Sequence, residues 1–402
     1  MKIVSINTVF FGSTGKIMLG INELAERNGH ETMSVSGYVL NEKNPPENAV
    51  VIGGFLSKAI HKTLAKLTGC QGCFSYFATK TAIRKIKKFV PDVIHLHNLH
   101  AWFTNLPLLF KYIKKNNIKV IWTLHDCWTF TGHCPHFEYA KCDKWKNGCK
   151  GCVQYKEYPS AFVDKASKMY KLKNKWFTGV KDLTIVTPSE WLANKVRQSL
   201  LSEYPVKVIN NGVDSEIFAP TESDFRKRYS ISENKKIVLG VAFGWGVKKG
   251  LDVFCMLSER LDKERYQIVM VGTDDNMDKL LPESIISIHR TQNQKELAEI
   301  YTAADVFINP TREDTFPTVN MESLACGTPV VTFNTGGSPE IIDETCGVVT
   351  DDNSAEAMAS EIIRICEDKS FSAEACIKRA QSFDMNNRLS EYIKLYEELL
   401  NK

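Results

Sequence analysis

The feature that most constrains this chain is a repeated alternation of short apolar runs with helical patterns. One series of runs includes KIVSINTV, DVIHLH and KVIWTLH, and a second series includes KIVLGVAF, YQIVMVG, DVFINP and PVVTFN. Helical patterns such as residues 16–28 and 104–115 separate the runs. This alternation predicts βαβ units around a parallel sheet. Because there are two series, and 402 residues suffice for two cores, we predict two doubly wound α/β domains in tandem.

The join between the domains should lie where Gly, Asn, Asp and Pro accumulate after a strand, in NNGVDSEIFAP at residues 210–220. We therefore assign residues 1–210 to an amino-terminal domain with a Cys-rich insertion at 127–152. Residues 211–384 form the carboxy-terminal domain. We expect residues 385–402 to form a helix that packs back on the amino-terminal domain.

The charge is unevenly distributed along the chain. Residues 1–190 carry 27 Lys and Arg against 13 Asp and Glu, whereas the remainder has more acids than bases. A basic half suits nucleic acid, anionic lipid or a phosphorylated substrate, and a Lys-rich solvated surface explains it equally well. Nucleic acid is the weakest of these hypotheses, because the basic residues are spread out rather than interleaved with aromatic residues.

The sequence favours a cytoplasmic location, and attachment to the inner face of the cell membrane is a further hypothesis. No apolar run approaches the roughly 20 residues that a membrane-spanning helix needs. The segment MKIVSINTVF lacks the charged, apolar and cleavage regions of a signal peptide.

Three short motifs follow predicted strands, where open α/β sheets bind their ligands. In FFGSTGK, Gly12 and Gly15 would let backbone N–H groups approach a phosphate at a helix start, although a plain tight turn is the alternative. HDCW places His125 past a strand, where a structural histidine is the alternative. FGWGVKKG places Lys248 and Lys249 at a helix start, either as an exposed pair or to neutralise a diphosphate leaving group.

The stretch TREDTFPTVNMESLACGTPVV, residues 311–331, carries two acids, Asp314 and Glu322, around a Phe-Pro turn. It predicts a strand end, a turn and a short helix stopped by Gly327 ahead of another strand. Glu322, eight positions after Asp314, would reach the same site as Asp314. Because carboxylates accept hydrogen bonds from hydroxyls, the two acids fit a polyhydroxylated, nucleotide-linked ligand.

Taken in order, these motifs resemble those of the retaining glycosyltransferases of family 4, over nearly the whole chain. The two acids, with seven residues between them, are followed by ACGTPVV and TGGSPEII and preceded by the Gly loop, HD, TPSEWLANKV, NGVD and KKG. The resemblance implies the GT-B fold, in which two Rossmann-like doubly wound parallel-sheet domains face a central cleft. The segment beginning TLHDCWTFTGHC is similar to a subgroup associated with exopolysaccharide assembly, including colanic-acid-type transferases.

The resemblance implies catalytic roles for His125, Lys249, Asp314 and Glu322. Glu322 would bind the donor ribose, Lys249 the diphosphate and His125 the reacting sugar, whereas Asp314 and the turn after it would hold the donor sugar. Further donor-binding residues would be Gly12, Gly15, Lys248, Thr315, Phe316, Pro317 and Thr318.

The implied activity is transfer of a hexosyl unit from a nucleoside-diphosphate sugar to a glycan or polyprenyl-diphosphate-linked acceptor in surface polysaccharide biosynthesis. The nucleoside diphosphate would depart while the acceptor attacks from the same face, with no cofactor required for catalysis. The alternatives are a nucleotide-sugar epimerase of the same fold and a non-catalytic nucleotide-sugar-binding protein.

Two positions depart from the family pattern. The first acid is Asp314, where the family usually has Glu, so that adjacent Glu313 is a possible substitute. The family also usually has an Arg before the Lys of KKG, which VAFGWG does not supply. Arg312 or Lys248 would then compensate, or stabilisation of the leaving group would be weaker.

Twelve cysteines without a secretion signal argue against a disulfide framework. Four of them fall within 19 residues and would form a structural zinc site that orders the insertion, unless they are reduced structural thiols. These are Cys134, Cys142, Cys149 and Cys152.

The segment FLSKAIHKTLAKL, residues 55–67, predicts an amphipathic helix with apolar residues on one face and lysines mostly opposite. Such a helix either packs its apolar face on the sheet, which we expect, or lies on an anionic membrane.

Overall fold

The computed structural model describes residues 1–38, 46 and 48–400, and it divides into two compact units. The first unit comprises Met1–Ile209 and Leu389–Lys402, and the second comprises Asn210–Arg388. The last two residues of the expected helix at 385–402 lie outside the described residues.

The first unit contains a seven-stranded sheet in which all neighbouring strands are parallel. Its strands are β1 (Lys2–Val9), β2 (Glu31–Tyr38), β3 (Ala49–Val51), β4 (Val93–Leu96), β5 (Lys119–Thr123), β6 (Leu183–Thr187) and β7 (Val206–Val208). Their order across the sheet is β3-β2-β1-β4-β5-β6-β7. Its helices are α1 (Gly12–Arg27), α2 (Phe55–Thr68), α3 (Tyr76–Phe89), α4 (Leu106–Lys115), α5 (Ala166–Phe177) and α6 (Glu190–Arg197).

The second unit contains a six-stranded parallel sheet. Its strands are β8 (Lys236–Val241), β9 (Tyr266–Val271), β10 (Ile285–Ile288), β11 (Val306–Asn309), β12 (Val330–Phe333) and β13 (Gly347–Thr350). Their order is β10-β9-β8-β11-β12-β13. Its helices are α7 (Phe225–Arg228), α8 (Leu251–Arg260), α9 (Asp275–Asp278), α10 (Gln294–Ala303), α11 (Thr318–Ala325), α12 (Ala355–Asp368) and α13 (Ala373–Gln381). The chain then continues into α14 (Met385–Leu400), most of which belongs to the first unit.

The strands are apolar on both faces of the sheet. Helices therefore have to cover each face. In β8, Ile237 and Leu239 join one hydrophobic cluster, and Val238, between them, joins another. Successive side chains of a strand point to opposite faces, so a continuous apolar run needs cover on each side. The two parallel sheets confirm the prediction of two doubly wound α/β domains.

Each sheet reverses its strand order at one place. In the first unit the chain moves outward from β1 to β2 and β3, and then returns to place β4 on the other side of β1. In the second unit β8 is flanked in the same way by β9 and β11. The carboxyl ends of these strands are the ligand-binding positions of open α/β sheets. The Gly loop after β1, the KKG segment after β8 and the acidic stretch after β11 all lie there.

The orientation of α2 differs from our expectation. Its apolar residues Phe55, Leu56, Ile60 and Leu67 are exposed rather than packed on the sheet. Across the described part of the chain, no helix combines the length and apolarity needed to cross a membrane.

Candidate functional site

Two consecutive lysines after β8 pair with two consecutive acids after β11. Lys249 Nζ lies 2.7 Å from Asp314 Oδ2, and Lys248 Nζ lies 3.0 Å from Glu313 Oε2. The Glu313 side chain is only 5% exposed, whereas that of Asp314 is 23% exposed. Glu313 is therefore engaged in a largely buried pair with Lys248, and Asp314 is the acid of the two that solvent reaches.

Arg312 joins the same two segments at a third point. Its terminal nitrogens donate two hydrogen bonds of 2.7 Å to the carboxylate oxygens of Asp252, in the first turn of α8. Its backbone N–H donates to the carbonyl of Lys248 at 2.8 Å. Burial alone would raise the pKa of Asp252, but the hydrogen bonds and charge of Arg312 outweigh it and lower the pKa. The guanidinium of Arg312 thus holds the two loops together.

Two glycines permit this close approach of loops. Gly250 has a φ of +80°, and a Cβ there would lie 2.4 Å from Cγ of Pro310. Gly336 has a φ of +58°, and a Cβ there would lie 1.7 Å from the carbonyl oxygen of Asp314. A side chain at either position would force the backbone to move. Gly336 belongs to the motif TGGSPEII, and the spacing of that motif does not predict this contact with the acidic loop.

The turn after Asp314 fixes the orientation of its carboxylate. The backbone N–H of Phe316 donates to Asp314 Oδ1 at 3.2 Å, while Oδ2 is the atom that faces the lysine. Thr315, Phe316 and Pro317 are buried, and Thr318 is the first residue of α11. A buried turn beside an ion-paired acid gives this loop a defined shape.

Glu322 lies on α11 and accepts a hydrogen bond from a buried tyrosine. Tyr301 Oη, on α10, lies 3.1 Å from Glu322 Oε2. Burial, reinforced by the charge of Glu322, raises the pKa of Tyr301 well above its ordinary value, so the hydroxyl remains a donor. Sequence reasoning missed Tyr301, because its helical position resembles that of any core aromatic residue.

In the first unit, the local backbone structure explains why both positions of the Gly loop are glycines. Gly12 begins α1 with a φ of +68°. A Cβ on Gly15 would lie 2.6 Å from the carbonyl carbon of Phe10. These contacts suit the tight-turn interpretation, and a phosphate-binding role stays a prediction.

Asn7 connects the Gly loop to the loop after β4, and sequence reasoning missed it. Its Nδ2 donates to the carbonyl of Val9 at 2.9 Å and to Thr14 Oγ1 at 3.2 Å. Its Oδ1 accepts the backbone N–H of Asn98 at 3.1 Å. The available signal was its place among the polar residues of KIVSINTV, directly before the Gly loop.

His125, after β5, is the partly exposed end of a row of imidazoles in which His97 and His95 are buried. Its Nε2 lies 3.0 Å from His97 Nδ1, and the two rings are stacked with centroids 5.3 Å apart. His95 is next in the row, with one nitrogen 2.7 Å from Tyr396 Oη of α14 and the other 2.8 Å from Thr123 Oγ1. Burial lowers the pKa of His125 to about 4 and that of His95 to about 3, so both are neutral near pH 7.

Asp126 and His100 form the polar pair beside this row. His100 Nε2 lies 2.9 Å from Asp126 Oδ2, and the backbone N–H of Trp128 donates to Oδ1 at 2.8 Å. Burial alone would raise the pKa of Asp126, but His100 and the Trp128 amide lower it below its usual value. The carboxylate of Asp126 therefore stays ionised. The other ring nitrogen of His100, Nδ1, lies 2.9 Å from Tyr158 Oη.

The Cys-rich insertion brings its thiols to one place without forming a closed metal site. All four line a cavity of about 20 Å³, and the thiols are free. Burial raises the pKa of Cys149 to about 11 and outweighs the hydrogen bond of 3.1 Å that the N–H of Gly132 donates to its Sγ. Within residues 1–38, 46 and 48–400, however, only Asp275, Asp278 and His289 place three metal-binding atoms within 4.8 Å of one another. The lining cysteines are Cys134, Cys142, Cys149 and Cys152.

Two family models match the chain. The one described as Glycosyltransferase Family 4 matches residues 21–217, and the one described as Glycosyl transferases group 1 matches residues 221–383. The two segments together take up most of the sequence. The chain belongs to the family 4 glycosyltransferases.

Relatives of this glycosyltransferase include proteins linked by name to surface polysaccharides. A putative colanic acid biosynthesis glycosyl transferase, WcaC of Escherichia coli K12, is 22% identical over 323 residues, which are 77% of each chain. An uncharacterized 41.2 kDa protein from the cps region of Klebsiella pneumoniae is 26% identical over 374 residues, covering 89% of this chain and 94% of the relative. The expected resemblance to colanic-acid-type enzymes is confirmed.

Solved structures show the fold. Sucrose-phosphate synthase of Thermosynechococcus elongatus superposes with a TM-score of 0.73 at 17% identity, covering 100% of this chain and 99% of that one. HepE of Anabaena, in a complex with UDP-glucose, gives a TM-score of 0.69 at 14% identity, covering 99% and 100%. The enzyme therefore has the GT-B fold, as predicted.

The structure brings some of the predicted site residues of this glycosyltransferase together within a unit. Lys248, Lys249 and Asp314 meet at the reversal point of the second sheet, and Glu322 follows on the helix that starts there. Gly12 and Gly15 lie at the end of β1, and His125 lies two strands across, at the end of β5.

Proposed function

We propose that this enzyme is a retaining hexosyltransferase that uses a nucleoside-diphosphate sugar. The observation that carries the proposal is the Lys249–Asp314 pair at the reversal point of the second sheet, 2.7 Å long and open to solvent. A cation beside a carboxylate can take a diphosphate on one side and sugar hydroxyls on the other.

Each residue of the pair has a role in transfer. Negative charge grows on the diphosphate as the sugar–oxygen bond breaks, and Lys249 stabilises that charge. Asp314 accepts hydrogen bonds from donor-sugar hydroxyls. Glu322, oriented by Tyr301, accepts hydrogen bonds from the ribose diol. Arg312, paired with Asp252, holds the loops that carry these groups in place.

His125 serves the reacting sugar as a neutral group. Since burial lowers its pKa to about 4, it exchanges hydrogen bonds with a hydroxyl without adding charge. Retention follows if the acceptor attacks the face from which the nucleoside diphosphate departs. Positioning and phosphate stabilisation then supply most of the rate.

The acceptor in this proposal is a glycan or a polyprenyl-diphosphate-linked sugar of surface polysaccharide assembly. WcaC and the cps-region protein support that choice by their names. A uridine diphosphate sugar is the first donor to test, because HepE was crystallised with UDP and with UDP-glucose. The proposal places the enzyme in the cytoplasm, at the inner membrane face when the acceptor is lipid-linked.

The test is incubation of purified enzyme with a panel of nucleotide sugars and candidate acceptors. Proton NMR of the product gives the anomeric configuration. Retained configuration supports the proposal, and an inverted product contradicts it. Epimerised donor without transfer would identify an epimerase, and nucleotide binding without any product would identify a non-catalytic protein.

A structural zinc ion in the insertion is a separate proposal. Four thiols around one cavity suit tetrahedral zinc, although the loop would have to draw them closer together. We expect about one zinc per chain in metal analysis, lost in Cys134→Ser or Cys149→Ser and kept in Cys376→Ser, a buried thiol of the second unit. Zinc-free protein with an ordered insertion would refute it.

A further inference from the structure

Helix α2 exposes the residues that an amphipathic helix normally buries. Phe55 is 89% exposed and Leu56 is 70% exposed, and Ile60, Leu64 and Leu67 are also exposed. Leu56, Ile60, Leu64 and Leu67 are spaced to share one face of the helix, and Phe55 is its first residue. An apolar face left in water is costly, so it indicates a partner surface.

The buried side of α2 carries a polar residue and a small apolar one in place of large apolar side chains. Its buried residues are His61 and Ala65. His61 Nδ1 lies 2.8 Å from Ser75 Oγ, and its ring meets that of Phe74 edge-on at 5.5 Å. Burial lowers the pKa of His61 to about 4, which keeps it neutral. Because specific contacts hold His61 inward, the fold fixes the apolar face outward.

Neighbouring segments extend this apolar surface at both ends of the helix. At the start of α2, a Cβ on Gly53 would lie 3.3 Å from Cβ of Ala78, and Phe77, the residue before Ala78 on α3, is 82% exposed. At the end of α2, the N–H of Phe162 donates to the Lys66 carbonyl at 2.8 Å, and Phe162 is 67% exposed. We call this the α2 surface: the exposed face of α2 with Tyr76, Phe77, Phe162 and Val163.

The charge around the α2 surface has one predominant sign. Residues 48–91 contain no Asp or Glu. Near Phe162 and Val163, the other part of the surface, the nearest acid in sequence is Asp164. Two lysines, Lys165 and Lys168, follow it. The basic residues of 48–91 are Lys58, Lys62, Lys66, Lys80, Arg84, Lys85, Lys87 and Lys88.

We propose that the α2 surface docks on an anionic lipid bilayer. Its exposed aromatic and aliphatic side chains enter the interface, and the surrounding lysines meet anionic headgroups. A second copy of the same surface would bring the three lysines of α2 against the same three of the other copy, which disfavours self-association. The docking concerns a surface of the first unit and does not depend on the donor chemistry. It deepens the proposed function by naming the membrane that would present a lipid-linked acceptor.

The experiment is co-sedimentation of the full-length enzyme with phosphatidylcholine vesicles, with and without phosphatidylglycerol, at low and high salt. We expect binding to the anionic vesicles at low salt, and weaker binding at high salt because screening weakens the lysine contribution. Leu56→Ser should weaken partitioning ~10-fold by removing one inserted side chain. The matched control is Leu280→Ser, an equally open leucine of the second unit at 65% exposure, which should bind like the parent protein.

Three outcomes would overturn the proposal. Folded protein that ignores anionic vesicles at low salt is one, and equal loss of binding in the Leu56 and Leu280 variants is another. A dimer in light scattering that Leu56→Ser converts to monomer, without vesicle binding, would assign the surface to a second copy. Transfer to a water-soluble acceptor should be unchanged in Leu56→Ser, so failed docking and failed transfer are distinguishable.

Discussion

The strand ends of the two sheets hold opposite kinds of polar groups. After β4 and β5, the first unit buries a row of imidazoles whose pKa values are lowered. After β8 and β11, the second unit sets charged pairs side by side, with Lys249 and Asp314 partly in solvent. Burial makes a titratable group neutral, whereas pairing keeps it charged. Under the proposed function, the charged end takes the diphosphate through Lys249 and sugar hydroxyls through Asp314, whereas His125 meets the reacting sugar as a neutral group.

The largest effect should come from the charged end. In Lys249→Ala we expect kcat/KM to fall by ~100-fold or more, because one cation facing the leaving group is removed. Lys249→Arg, which keeps the charge, should recover part of the loss. Lys263→Ala, at an exposed lysine of the same unit, controls for net charge and should be unchanged. Equal activity of Lys249→Ala and Lys263→Ala would remove Lys249 from the mechanism.

A second effect concerns nucleotide binding. A donor nucleotide at 100 times its dissociation constant should stabilise the parent protein by ~2.7 kcal/mol. We expect Glu322→Ala to lose most of this stabilisation in thermal unfolding, because the ribose loses its acceptor.

Tyr301→Phe is the matched control for Glu322→Ala. It removes the hydrogen bond between the two residues and leaves the carboxylate. Nucleotide stabilisation that persists in Tyr301→Phe and is absent in Glu322→Ala would show that Glu322 acts on the ligand directly. If the stabilisation is lost in Tyr301→Phe and kept in Glu322→Ala, Glu322 does not bind the nucleotide and only accepts the hydrogen bond of Tyr301.

A third effect separates the two lysines of KKG. Lys248 pairs with the buried Glu313. Lys248→Ala should therefore lower the free energy of unfolding by ~1–2 kcal/mol. This is less than for a fully buried pair, because about one-third of the lysine side chain is exposed and solvent screens its charge. The double variant Lys248→Ala with Glu313→Gln should recover stability, since no buried charge is left. If Lys248→Ala instead lowers kcat/KM as much as Lys249→Ala at unchanged stability, both lysines serve the donor.

Local patterns predicted the fold, and long-range pairing decided the site. Apolar runs and helical periods are properties of a few neighbouring residues, so both sheets and the motifs at their strand ends were predictable. The contacts Arg312–Asp252, Tyr301–Glu322 and Gly336–Asp314 join residues 21 to 60 positions apart, and spacing does not encode them. The amphipathic pattern of α2 likewise predicted two faces and not which one the fold turns outward.

The smallest effect, per pH unit, tests the neutral end. In the unfolded chain His95 and His125 titrate near ~6.5, and in the folded chain near about 3 and about 4. As pH falls below ~6.5, the unfolded state binds protons first, so the first unit should lose up to ~1.4 kcal/mol per pH unit for each histidine until the folded pKa is reached. In the second unit, Arg312 lowers the pKa of Asp252, so its contribution is lost only below the ordinary carboxyl range.

Hydrogen exchange compares the two units within one molecule. Between about pH 7 and about pH 5, after correction for intrinsic exchange rates, protection should fall in β4 and β5 and hold in β8 and β11. His289, exposed and paired with Asp278, has a raised pKa and would strengthen the second unit slightly over the same interval. His125→Gln should reduce the dependence in the first unit and leave the part that His95 contributes, because glutamine does not titrate. Equal loss in both units would mean that the imidazole row is not neutral in the folded enzyme, and the division into neutral and charged ends would fail.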